Sequence, residues 1–195
     1  MIRVEDRVIT VFDFNKAFEI AEAAIPHNVL QDSSAIKASK KRLLNQMTEE
    51  MVLLERAKEL DISILNIEVE KKIGEIKSDY PEGVFEEILL EYAVSYESWK
   101  KGLKTRMLIE KLIENELSAK IVITADDISR YYEKNYKASN LKPDLKNRSR
   151  DLNEKIVKHL RRKKIEEIYK SWIDKIHKRF HIEINEKQWE KILSS

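Results

Sequence analysis

His177 and His181 stand four residues apart, a step that sets two imidazoles on one face of a helix and could serve a metal ion. Two things argue against that chemistry. The stretch FHIEIN from Phe180 alternates Phe180, Ile182 and Ile184 with polar residues, so His181 begins a strand, and no matched third ligand accompanies the pair. His27 and His159 are isolated and offer no partner for acid–base work. The carboxylate pairs Glu49/Glu50, Glu86/Glu87 and Glu166/Glu167 lie in stretches rich in Lys and Glu, where such pairs form solvated helix faces. Ser33, Ser34, Ser95 and Thr124 sit where helices should start, which suits caps better than nucleophiles. Gly74, Gly83 and Gly102 are dispersed and build no phosphate-cradling loop. With zero cysteines there is no disulfide, thiolate zinc site or cysteine nucleophile, in a reducing or an oxidising compartment alike. No catalytic residue, metal ligand or cofactor is expected, and the chain does not read as an enzyme.

The remaining chemistry is that of binding. Phe85, Leu89, Tyr92, Tyr96, Trp99 and Met107 form an aromatic and thioether-bearing set suited to adaptable apolar contact. Any single member is more readily a core residue, and exposure decides. A second set is basic: from Lys142 to Lys164 there are 10 Lys or Arg against 3 Asp or Glu, among them Arg148, Arg150, Lys158, Arg161, Arg162, Lys163 and Lys164. The block could meet nucleic acid, anionic lipid or acidic polypeptide. It lacks interleaved aromatics and a reading motif, so a solvated helix face is the plainer account. A formal net charge of +2, from 37 basic and 35 acidic side chains, makes no case for nucleic acid across the whole molecule.

The elements that must position these residues are helical. Only 3 Gly and 3 Pro in 195 residues, with 37% charged and 42% hydrophobic side chains, suit long solvated helices rather than a turn-rich β protein. Ile2–Thr10 predicts a short strand or irregular hairpin, and Thr10 with Asp13 a capping box that opens a helix from Val11 to about Ile25, ended by Pro26. Asp32 or Ser33 caps a long helix striped by Leu43, Leu44, Met47, Met51, Leu54 and Ala57, with Lys40, Lys41, Glu49, Glu50 and Arg56 outside, ending near Leu60-Asp61. Asn66 caps the next helix, which carries Val69, Ile73 and Ile76. Val84 to Ala93 is a short helix, and Ser95 or Ser98 opens a long one bearing Trp99, Leu103, Met107, Leu108, Leu112, Ile113 and Leu117. Thr124 and Asp127 form another capping box. The polar stretch 137–150 reads as a linker, followed from Asp151 by a final long helix. The strand at FHIEIN needs a partner for its backbone groups, and Ile2–Thr10 is the other strand candidate; the two are predicted to pair, with Trp189 and Ile192 in a C-terminal helix.

In this order of elements, LLNQMTEEMVLLERAKELDISILNIEVEKKIGEI, FEEILLEYAVSYESWKKGLKTRMLIEKLIENEL and VITADDISRYYEKNY, the chain resembles the N-terminal chaperone module of the SurA family. RVEDRVITVFDFNKAF is similar to the strand and helix that open the family's mature chains, and WIDKIHKRFHIEI to its returning C-terminal helix and strand. Two departures stand out. Asp61 occupies a position where the family commonly has Gly, and residues 137–150 stand where many members carry parvulin-type prolyl isomerase domains.

The resemblance implies a mainly α, multi-helix module with a small antiparallel β pairing between the chain's terminal segments. It divides as 1–136 for the strand and helical module, 137–150 for the linker and 151–195 for the helix, strand and short helix that fold back. It implies ATP-independent holding of unfolded or partly folded polypeptides, chiefly outer-membrane proteins crossing a periplasm, with no small-molecule substrate and no isomerase. Nucleic acid is not an expected partner, whereas the membrane surface is one the basic block could touch. MIRVEDRV lacks the apolar core of a signal peptide, which predicts either a trimmed periplasmic chain or a cytoplasmic one, the latter similar to the C-terminal arms of trigger factor. A helical adaptor for one folded partner is the alternative function.

Overall fold

The computed structural model of the chain describes residues 1–22, 32–136 and 148–194. The predicted stop at Pro26 and residues 137–147 of the predicted linker lie outside the described residues. Two compact units are present, Met1–Leu112 with Lys175–Ser195, and Ile113–Asp174.

In the first unit, β1 (Ile2–Val4) and β2 (Arg7–Ile9) make a hairpin around Glu5 and Asp6, and β3 (Ile182–Ile184) adds antiparallel to the free edge of β1. Ile2 stands opposite both Ile9 and Ile184, so the predicted pairing of the two chain ends is present and the fold is mainly helical with one small sheet. Period-two alternation buries Ile2, Val4 and Ile9 and leaves Val8 exposed. The seam between the ends is reinforced at both limits: the Asn185 amide donates to the Met1 carbonyl at 2.9 Å, and the His181 amide donates to the Glu5 carboxylate at 2.8 Å.

Helix α1 (Val11–Glu22) begins with the predicted capping box: the Thr10 amide donates to the Asp13 carboxylate at 2.9 Å and the Asp13 amide to the Thr10 hydroxyl at 3.1 Å. Its buried Phe14 meets the edge of Trp189 with ring centroids 5.5 Å apart. Helix α2 (Ser33–Glu59) starts at Asp32, whose carboxylate accepts from the Ser34 amide at 2.8 Å.

Lys40, expected on the solvent side of α2, is buried instead. Its stem carries the ammonium over the Phe18 ring at 5.5 Å and on to the Ile192 carbonyl, to which it donates at 2.8 Å. That carbonyl lies in the last turn of a C-terminal helix, where a cation is favoured. Glu55 is likewise buried, accepting from Arg7 at 2.6 Å.

Helix α2 ends in a Schellman turn. The Ile62 amide donates to the Ala57 carbonyl at 2.9 Å and the Asp61 amide to the Lys58 carbonyl at 3.1 Å, with Asp61 at φ 52°. The left-handed geometry explains the expected glycine preference at that position. Helix α3 (Asn66–Ser78) is capped one residue earlier than predicted. The cap residue is Leu65, which has no side-chain acceptor, so only the carboxylate half of a capping box forms: Glu68 accepts from the Leu65 amide at 2.8 Å.

Helix α4 (Val84–Glu91) follows Gly83 at φ 81°, and helix α5 (Tyr96–Glu116) follows Ser95, whose hydroxyl accepts from the Ser98 amide at 3.2 Å. Ile64, Val69, Ile73 and Leu103 form a core cluster, with Ile76, Trp99, Met107 and Leu108 packed against it. The terminal elements of this unit are β3 and a short helix running Glu186–Ser194 that buries Trp189 and Ile192.

The second unit holds the end of α5, a 3-10 turn at Ser118–Lys120, helix α6 (Ala125–Tyr136) and most of helix α7 (Arg148–His177), which begins at Arg148 rather than at Asp151. The Glu186–Ser194 helix is therefore α8. The Thr124 capping box forms as predicted, with the Thr124 amide donating to Asp127 at 3.0 Å and the Asp127 amide to the Thr124 hydroxyl at 3.1 Å.

Candidate functional site

Four aromatic rings of the first unit converge where α3, α4 and α5 follow one another in the chain. Phe85 meets Trp99 edge-on at 4.8 Å, Tyr96 lies 6.0 Å from Trp99, and Tyr80 lies 6.0 Å from Phe85. Such tilted and T-shaped pairs use the positive ring edge against the negative ring face. Lys77 places its ammonium 5.2 Å from the Phe85 centroid and 5.4 Å from that of Tyr96. It also donates to Glu86 at 2.6 Å, a bond that holds the lysine above its ordinary pKa and the carboxyl below.

The predicted apolar set divides within this arrangement. Phe85 is only 6% exposed, and Trp99 and Met107 pack against the α3–α5 core, so these three support a surface more than they form one. Leu89 is half-buried, Tyr96 stands at the edge of exposure, and Tyr92 is 71% exposed. Leu90, which sequence periodicity did not single out, is 79% exposed. The signal for it was available: LL in an eight-residue helix puts adjacent side chains on different faces, and only one face of α4 meets the core.

Leu90 and Tyr92 flank a chain reversal. The Val94 amide donates to the Leu89 carbonyl at 2.9 Å and the Ala93 amide to Leu90 at 3.0 Å, with Ala93 at φ 50°. This second Schellman turn fixes the two exposed side chains on an ordered helix end. The arrangement offers dispersion and aromatic contact. Among the described residues no group of three His, Asp or Glu side chains is placed to hold a metal ion. His181 pairs with Glu183 at 2.8 Å.

The basic set is also divided. In the second unit Lys158, Arg161 and Arg162 line a groove together with Lys155, while Lys163 is exposed outside it. Lys164 is used by the fold: it donates to Asp127 at 2.9 Å and to the Val122 carbonyl at 3.1 Å. Lys164 foremost, with the Thr124 amide, pulls the Asp127 pKa down to about 2. The side chains of Arg148 and Arg150 lie outside the described residues.

The described residues make a mainly helical module with one small sheet that joins the two ends of the chain. The chain belongs to the family of the SurA-like N-terminal domain, whose sequence pattern matches residues 1–113. Among curated proteins it is similar to the foldase protein PrsA of Clostridium botulinum strain Langeland, 36% identical over 123 residues that make up 60% of this chain and 36% of that protein. The foldase protein PrsA of strain Hall is 35% identical over the same length, and that of Clostridium acetobutylicum 23% over 105 residues, 51% of this chain and 31% of the relative. The match thus spans about a third of these relatives' own length. The family is of the chaperone and foldase type, and no described helix is long and apolar enough to cross a membrane.

Proposed function

We propose that the chain holds unfolded polypeptides without ATP, contacting them through Leu90, Tyr92 and Tyr96 above the Phe85–Trp99 pair. The observation that supports this is the exposure of Leu90 and Tyr92, large apolar side chains on an ordered helix end, in a chain of a chaperone-type family. Burying a side chain of this size is worth about 1.5–3 kcal/mol, enough for weak, reversible capture when two or three are engaged. Aromatic and aliphatic contacts make few demands on client sequence, which suits promiscuous binding. In this reading residues 1–136 and 151–195 form the holding module, and 137–150 stand in place of an isomerase domain, so the chain itself catalyses no prolyl isomerisation. The clients are unfolded outer-membrane proteins, met in the periplasm.

The test is light scattering when an unfolded outer-membrane protein and an unrelated soluble protein are each diluted into buffer with the chain and no ATP. Suppression of aggregation for both, stronger for the membrane client, is the expected result. Equal protection would remove the client preference and leave the holdase. Absence of protection at excess chain would remove the holdase and favour a helical adaptor for one folded partner.

A further inference from the structure

The groove of the second unit encloses about 1030 Å³ and is lined by α7 side chains with Glu114 and Ser118 at its other wall. That volume is at the upper end of the roughly 300–1,000 Å³ of small-molecule sites. Four cations, Lys155, Lys158, Arg161 and Arg162, line it against two carboxylates, Glu114 and Glu154. Arg162 is drawn to Glu166 at 3.5 Å, but among the described residues Lys155, Lys158 and Arg161 have no carboxylate within ion-pair distance. Arg161 carries a second anomaly: its Nε is buried and donates to no acceptor. Buried donors of folded proteins are ordinarily satisfied, so Arg161, half-buried in the groove wall, is short of one acceptor at Nε. A carboxylate suits an arginine in a groove wall, because the guanidinium can give two parallel N–H donors to two oxygens.

We infer that this groove takes acidic stretches of an unfolded polypeptide, a carboxylate of the client seating on Arg161 and further carboxylates meeting Lys155 and Lys158. The inference rests on the reading of the chain as a binder of unfolded polypeptides and names a second client chemistry for it. Val157 and Ile165 give the lining apolar surface for the neutral residues between client carboxylates. Nucleic acid fits less well. No aromatic base-stacking platform lines the groove other than the single imidazole of His159, and Glu114 and Glu154 repel a continuous run of phosphates while sparing a peptide with spaced charges.

The test uses the full chain and fluorescence anisotropy of a labelled peptide of alternating Glu and Ala, with a Gln/Ala counterpart. The Glu peptide should bind at least about tenfold more tightly than the Gln peptide, the difference shrinking as salt rises. The double variant K155Q/K158Q, altering two exposed side chains, should lose that preference, keep the wild-type urea unfolding curve, and still protect a neutral, aromatic-rich unfolded client. R161Q should show the same loss of preference. Equal binding of the two peptides by a chain that protects the neutral client overturns the groove assignment and leaves the holdase reading. A chain that protects no client yet prefers the Glu peptide overturns the holdase reading instead. Tighter, equally variant-sensitive binding of single-stranded oligonucleotide or of anionic lipid vesicles overturns the choice of polypeptide as occupant.

Discussion

Phe85 and Tyr92 bracket the same short helix, yet one is buried in an aromatic pair and the other projects into solvent. The difference turns two similar substitutions into separate experiments. Tyr92→Ser should leave stability within about 0.5 kcal/mol of wild type, as for surface changes generally, while weakening protection of unfolded client in the scattering assay. Phe85→Ala should cost about 3–5 kcal/mol in urea unfolding, because it opens a cavity against Trp99. Equal losses of stability from both would place Tyr92 in the core. Ala93 gives a third test at this scale: it occupies a left-handed helix terminus at φ 50°, where a Cβ is strained. Ala93→Gly should raise stability by about 0.5–1 kcal/mol, the relief of that strain less the backbone entropy of glycine.

At the scale of elements, helix α6 is held at its start by Thr124 and Asp127 and by the ion pair from Asp127 to Lys164. The pKa of Asp127 is depressed to about 2 from 3.8, so its contribution is present above the unfolded value and is lost as pH falls through the folded one. The melting temperature of wild type should therefore exceed that of Asp127→Asn at pH 6, with the gap closing as pH falls from about 4 to about 2. A gap that stays constant over that window would remove the carboxylate from the cap. Both capping boxes were legible in the sequence because their geometry is local: hydroxyl, spacing of three and carboxylate suffice. The start of α3 was not, since the Leu65 cap has no acceptor and betrays itself only through Glu68.

For the molecule as a whole, the joining of the chain ends is the feature most open to test. Deleting residues 180–195 removes β3, the Phe14–Trp189 contact and the carbonyl that satisfies buried Lys40. The melting temperature should fall by several degrees or more, a loss of several kcal/mol at about 2–4 °C each for a chain of this size. An unchanged melt would mean that the ends contribute nothing to stability. The pairing was legible because a period-two segment near each terminus had no other strand to satisfy its amides. The groove of the second unit was not: its walls come from α5 and α7 residues that no local pattern relates, and for the basic block, which could meet an anionic partner, a solvated face was the plainer account.

Sequence alone determined the helical class, both capping boxes and the union of the terminal strands, since each follows from spacing or from backbone groups that must be paired. Tertiary structure decided which apolar residues are surface and which are core, because helical periodicity names a face without saying what covers it. It buried Lys40 against a carbonyl 152 residues away and exposed Leu90 rather than Phe85. It also separated the basic residues into one that the fold consumes, Lys164, and those left facing a groove, a distinction of partners in space that charge counting along the chain does not carry.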